Sequence, residues 1–313
     1  MAYKFKILSF CILFIVNKTF SQNKRSTNKS KKDTIRITIK ALGKPLNSAF
    51  ADYAPVISAD GLTMMFTSRR PVTPKEIQKN KTAMEQIYNA SYDVKKKKWS
   101  PGQRLSDSIN EQGRNNSAIA LSNDGQLLLL YRDDDEGNGD IFQSILKGND
   151  WTKSEKLPST INSNGHESSA SISPDGNTLY FVSDRKEGFG KRDIWYSRKD
   201  KNHQWGQAIN LGSSINTKED EEGFFIQKKR KTLYFSSKGH QSIGGYDIYY
   251  STFVKDHWSS PQNLGTAINT IGDDVFLVIT ADGTTGYYSS NKAGGIGEQD
   301  IYQIKPVPVK KDN

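Results

Sequence analysis

Cysteine is all but absent: Cys11 is the only one in 313 residues. It sits inside an apolar run, residues 7–16, preceded by Lys4 and Lys6 and followed by the small-residue site Thr19-Phe20-Ser21. Such a run is too short to span a bilayer as a mature helix, so residues 1–21 read as a cleaved secretory signal. A lipoprotein signal carries its cysteine after the apolar run and behind a small residue, whereas Cys11 lies within the run and behind Phe10. Lipidation is therefore not expected. With the signal removed, the mature chain has no cysteine and no transmembrane segment, which rules out disulfides and a thiolate mechanism.

The body of the chain also lacks excess charge of either sign. The net charge is +10, but the signal, a basic stretch at residues 22–33 and the C-terminal tail 307–313 carry most of it, leaving +2 for residues 34–309. Nucleic-acid binding needs a clustered basic face and is not expected. Residues 22–33, rich in Lys, Ser, Asn and Thr, read as a flexible linker.

Catalytic and cofactor signatures are missing as well. The four histidines (His166, His203, His240, His257) stand singly, and His166-Glu167 fails the zincin pattern because Ala170 occupies the place of the second histidine. There is no G-x-S-x-G and no phosphate loop. The acidic run 133–140 is dense in oxygen ligands, but its spacing is not that of an EF-hand, so a solvated acidic turn is expected over calcium. No metal or cofactor is expected. Carboxylate pairs for glycoside cleavage remain open, because their separation is spatial.

What the sequence does have is a repeat. The marks Gln86-Ile87-Tyr88, Asp140-Ile141-Phe142, Asp193-Ile194-Trp195, Asp247-Ile248-Tyr249 and Asp300-Ile301-Tyr302 follow one another at steps of 54, 53, 54 and 53 residues. Each is a short β-prone run. Upstream, Asp60-Gly61, Asp124-Gly125, Asp175-Gly176 and Asp282-Gly283 sit between apolar alternations as hairpin turns, with Lys229-Arg230 in that slot of the fourth unit. Downstream, Trp99, Trp151, Trp205 and Trp258 keep the same phase on a fourth strand. Four strands per unit at a period near fifty define a β-propeller. The last unit has three strands, while Ile35, Ile37 and Ile39 alternate upstream of a segment, 41–47, that matches 263–269. The N-terminal strand should thus complete the last blade and remove the open edge, giving an all-β, five-bladed propeller over residues 34–306.

The segments S-P-D-G-x-x-L-Y-F-x-S-D-R, G-x-G-x-x-D-I-Y and W-x-x-P-x-N-L-G-x-x-I-N resemble the WD40-like repeat of TolB-type envelope propellers over residues 41–302. The resemblance implies a periplasmic or extracellular protein with protein partners. The peptidoglycan-anchoring and helical-repeat domains of larger relatives have no counterpart here.

In a propeller, the loops between the second and third strands and those leading into each blade emerge on one face, and here these are the long ones. That face should carry Arg70, Arg132, Arg185 and Lys292 among acids, including the run Glu219-Asp220-Glu221-Glu222. The alternative role for these charges is ion pairing and turn capping between blades. The repeated Asp before each third strand should cap backbone N–H groups, and the Trp series should pack between sheets. Blade one has an insertion at 70–85 in which Thr73-Pro74-Lys75-Glu76 forms a capping box, so a short helix bearing Lys75, Lys79 and Lys81 is expected. The expected function is non-catalytic: a monomeric envelope module that binds a protein or peptide through this face. The alternative is a carbohydrate-active propeller, either a lectin or a glycosidase or lyase.

Overall fold

The computed structural model describes residues 36–72, 83–227 and 231–307. The expectations for the signal, the linker, Ile35, the Lys75–Lys79–Lys81 helix and the turn at Lys229-Arg230 lie outside these residues. Within them the chain forms five antiparallel sheets and no helix, arranged as a five-bladed β-propeller.

Each blade runs outward from a strand beside the central channel. The innermost strands are Asp52–Ile57, Asn116–Leu121, Glu167–Ile172, Glu221–Gln227 and Asp274–Ile279. The third strands Gln86–Asp93, Gly139–Lys147, Asp193–Arg198, Asp247–Val254 and Asp300–Val307 begin at or one residue before the repeated marks. Every innermost strand carries a register shift near its start, between Tyr53 and Val56 in blade one and at matching places in the rest. A bulge increases local twist, and five of them in phase serve a tightly curved ring.

The Asp-Gly turns are longer than two-residue hairpins. In blade one, Ser58 and Thr63 close the turn, Asp60 Oδ1 accepts from Ser58 Oγ at 2.6 Å and from Leu62 N at 2.9 Å, and Gly61 takes φ +73°. A positive φ at that place is what selects glycine there. The fourth strands of blades one to four are broken into short pieces, such as Lys98–Trp99 and Gln103–Arg104. In blade five the outer strand is Arg36–Ala41, continuous from Arg36↔Val307 to Ala41↔Tyr302, so the N-terminal strand closes the ring as the alternation predicts.

The core is five clusters, one at each blade junction. Trp99 packs between blades five and one, edge-on to Tyr287 at 6.1 Å, and Trp151, Trp205 and Trp258 take the corresponding places at the next three junctions. The junction of blades four and five uses Ile37 and Ile39 instead. Trp and Ile burial thus ties each outer strand to the neighbouring blade, where apolar area removed from water contributes about 25 cal/mol per Å².

Candidate functional site: the loop-rich mouth of the channel

The residues that obey the repeat hold the blades together. At the start of each innermost strand stands a buried Asp52, Asn116, Glu167, Glu221 or Asp274. Four of these are carboxylates and accept from the Ser or Thr four residues earlier: Glu167 from Ser163 N and Oγ at 2.9 and 2.7 Å, Glu221 from Thr217 N and Oγ1 at 3.0 and 2.8 Å. Asp52 and Asp274 make the same pattern with Ser48 and Thr270.

The cations expected on the recognition face join this framework. Arg70 donates to Asp52 and to the Leu46 carbonyl, both at 2.6 Å, and lies over the Tyr88 ring. Arg185 reaches Glu167 at 3.3 Å and the Ile161 carbonyl at 2.5 Å and lies against Phe181 and Trp195. Arg132 donates to Asn116, Glu111, Ser154 and the Ile109 carbonyl. In blade four the same carbonyl, Ile215 O, receives the His240 Nε2 proton at 2.7 Å. Lys292 donates to Tyr288 Oη at 2.8 Å and sits 3.7 Å from the Tyr302 ring centre. Arg70, Arg132 and Arg185 are thus engaged in the alternative role weighed for them, bonding the segment that enters each blade, whereas Lys292 makes these contacts within its own blade.

The four-acid run divides in two. Glu219 and Asp220 precede the strand, Glu219 half-exposed and Asp220 largely covered, and pair with Lys191 at 2.7 Å and Lys238 at 3.4 Å. Glu221 and Glu222 are instead the first residues of an innermost strand and are buried. Glu221 belongs to the blade framework, where burial pushes its carboxyl up to about 7. Glu222 reaches across the channel end to blade three, accepting from Ser168 Oγ at 2.8 Å and from Ser169 Oγ, and pairing with Arg192 at 3.0 Å.

The positions that break the repeat surround this link. The place just before each third-strand mark is held by Glu85, Gly139, Arg192, Tyr246 and Gln299, and the place before each innermost strand by Ala51, Asn115, His166, Asp220 and Asp273. Tyr131 meets the His166 ring at 5.4 Å, and Lys238 lies 4.5 Å from the Tyr246 ring centre. Tyr53 and Phe276 approach to 6.1 Å. Burial raises the Glu85 carboxyl and lowers the imidazolium pKa of His166. The mouth is an aromatic and mixed-charge surface. Arg192, Tyr246 and Tyr131 were not singled out by the sequence; their signal was variation at a register position whose neighbours do not vary.

A second feature of this face is apolar. Phe189, Ile243 and Ile296 occupy one loop position in blades three, four and five and are 53%, 45% and 42% exposed. Each donates its N–H to the Asp that opens the following strand, Asp193, Asp247 or Asp300, at 2.5–2.7 Å. Gly190 and Gly244 press these loops onto the next connection; a Cβ there would lie 2.2 Å from Thr217 O or 2.3 Å from Thr270 O. Ile271, 90% exposed, stands beside the second of these contacts. In blades three to five the repeated Asp therefore caps backbone N–H groups as expected, and in doing so fixes the backbone that bears an exposed apolar residue.

The acidic run of blade two is spoken for residue by residue. Asp133 accepts from Asn115, Asp134 from the N–H groups of Glu136 and Asn138, Asp135 pairs with Arg114 and Asp140 with Lys156. Among the described residues no group of three His, Cys, Asp or Glu side chains is placed to hold a metal ion.

Fold and mouth together define a five-bladed β-propeller closed by its N-terminal strand, with its irregular residues gathered at one end of the channel. Solved propellers of similar form include a protein from Agrobacterium tumefaciens assigned as TolB, 14% identical, covering 88% of this chain and 100% of that one at a TM-score of 0.50. An exo-β-1,3-galactanase from Clostridium thermocellum is 13% identical over 88% of this chain and 64% of its own, at 0.53. A thermostable family-43 glycoside hydrolase is 12% identical over 84% and 91%, at 0.50. At such identities the likeness is one of fold. No family model and no curated protein matches the sequence.

Proposed function

We propose that this protein is an exported, non-catalytic binding module of the cell envelope that recognises a protein partner through its loop-rich face. The observation that carries the reading is the set Phe189, Ile243 and Ile296: three apolar side chains held out to solvent by the same Asp-capped loop in successive blades. A set of exposed apolar groups repeated on one face favours an interaction surface, and a backbone already held in place lowers the ordering cost of binding. The surface pairs Lys191–Glu219 and Lys238–Asp220 beside them suit a polar rim.

A glycoside-cleaving role is the weaker reading. It requires two carboxylates separated by roughly 5–10 Å across an open pocket. Here the carboxylates that begin the innermost strands are buried and bonded within the framework, and Glu222 is tied to Ser168, Ser169 and Arg192. The TolB resemblance of the repeats and the N-terminal apolar segment support the envelope location.

Site-specific photo-cross-linking tests the assignment. A cross-linking residue at Phe189 should give a discrete protein adduct in living cells, and one at Asp124, on the opposite face, should not. Adducts from Asp124 alone would overturn it.

A further inference from the structure

The channel has a second end, and it differs in chemistry from the mouth. Beyond Glu222 and the Tyr53–Phe276 contact, the latter halves of all five innermost strands enclose a cavity of about 540 Å³. The fifth residue after each strand-opening position is apolar in every blade: Ile57, Leu121, Ile172, Ile226 and Ile279, and all five line this cavity. Four of them are only half-buried, the exception being Ile279. The tight-turn end is ringed by polar residues, among them Ser58, Ser122, Gln227 and Thr280. Each innermost strand is the terminal strand of its sheet, so its outer edge turns free backbone N–H and C=O groups toward the channel.

We infer that this cavity is a binding site for a single-chain amphiphile, an alkyl or acyl chain whose polar end stays at the tight-turn face. Three features argue for that chemistry. The volume falls within the range of about 300–1,000 Å³ usual for small-molecule sites. The wall is predominantly apolar, and covering it with an apolar body removes apolar surface from water, which is favourable. The lined stretch is about four residues of strand, or roughly 13 Å at 3.3 Å per residue, a narrow depth that suits one extended chain better than a fused ring system. The polar ring and the strand edges near the opening supply hydrogen bonds for a head group. This site is separate from the loop-rich face and does not depend on a partner binding there.

The test is a titration of the intact protein with cis-parinaric acid, a fluorescent single-chain fatty acid, followed by displacement with laurate and with dodecylamine. Saturable binding of one probe per chain, displaced by at least one of the two, is expected; the pair also reports which head charge the opening prefers. Ala120→Trp, which fills the cavity, and Ile226→Lys, which places a cation in it, should each weaken binding at least tenfold, while Ile209→Ser on the outer edge should leave it unchanged. Crystals soaked in bromolaurate provide a readout that needs no variant: anomalous density should lie between Ile57 and Ile172. Absence of saturable binding, parent-like affinity in a folded cavity variant, or anomalous density elsewhere would overturn the inference.

Discussion

Asn47 and Ile301, 254 residues apart, bond to each other twice: Asn47 Nδ2 donates to Ile301 O at 3.1 Å, and Ile301 N donates to Asn47 Oδ1 at 2.9 Å. The same pairing joins Asn110 to Ile87, Asn162 to Ile141, Asn216 to Ile194 and Asn269 to Ile248. Four of these clasps tie the segment leaving a blade to that blade's own third strand, and the fifth does the same in blade five with the two ends of the chain. The ring is closed by the same element that anchors each interior link.

Closure should therefore be measurable in stability. Asn47→Ala leaves the buried N–H of Ile301 without a partner, while the Ile301 carbonyl keeps the Leu42 N–H at 3.0 Å, so the cost should be about 1–3 kcal/mol for the one stranded group. Asn162→Ala should cost a similar amount, because its clasp is the same. Removing residues 1–41 should cost more, since it also strips Ile37 and Ile39 from the junction of blades four and five and exposes the edge of Asp300–Val307. A truncated protein with the parent's melting temperature would contradict the closure.

The inward cations give a prediction that separates framework from recognition. Arg185→Met should destabilise the fold by about 3 kcal/mol, because it leaves the fully buried Glu167 without its charge partner. Adding Glu167→Gln should restore much of that loss, as the stranded charge is then gone. Denaturant unfolding of the parent, both single variants and the double variant measures the coupling. A recognition residue would show no such compensation.

Stability should also depend on pH through Glu221. Its carboxyl is raised by burial from 4.5 to about 7, so the folded protein holds this proton over a range where the unfolded chain has released it. The contribution is fully present below the unfolded value and is lost as pH rises through about 7. The melting temperature should accordingly fall across that interval, and Glu221→Gln should flatten the fall. An identical slope in parent and variant would assign the dependence elsewhere.

Most of the architecture was legible in the sequence because it repeats. The Asp-Ile-aromatic marks, the Trp series and the unpaired Ile alternation at the N-terminus fixed the blade count, and Ile39↔Ile304 shows that alternation in register. The site was less legible, for two physical reasons. The side chain that caps the junction carbonyl in blades one to four arrives from different places in the repeat: Arg70 and Arg185 follow the second strand's serine by two residues, Arg132 replaces that serine, and His240 comes a residue later still. Spatial convergence of that kind does not show as periodicity, and the basic residues read as a surface ring. In the run from Glu219 to Glu222, four adjacent carboxylates resemble a solvated loop. Yet the strand begins within the run, so the first two stay partly exposed while Glu221 and Glu222 are buried.

The central claim, that recognition takes place on the loop-rich face, is tested most directly by one affinity measurement. With the partner captured from Phe189, calorimetry should compare the parent with the variant Phe189→Ser/Ile243→Ser/Ile296→Ser. These side chains are exposed and lie outside the junction cores, so each substitution should change the unfolding free energy by no more than about 0.5 kcal/mol, as is typical of surface positions. Affinity should fall at least a hundredfold, as three apolar anchors are lost from one interface. A folded triple variant that binds that partner like the parent would contradict the account.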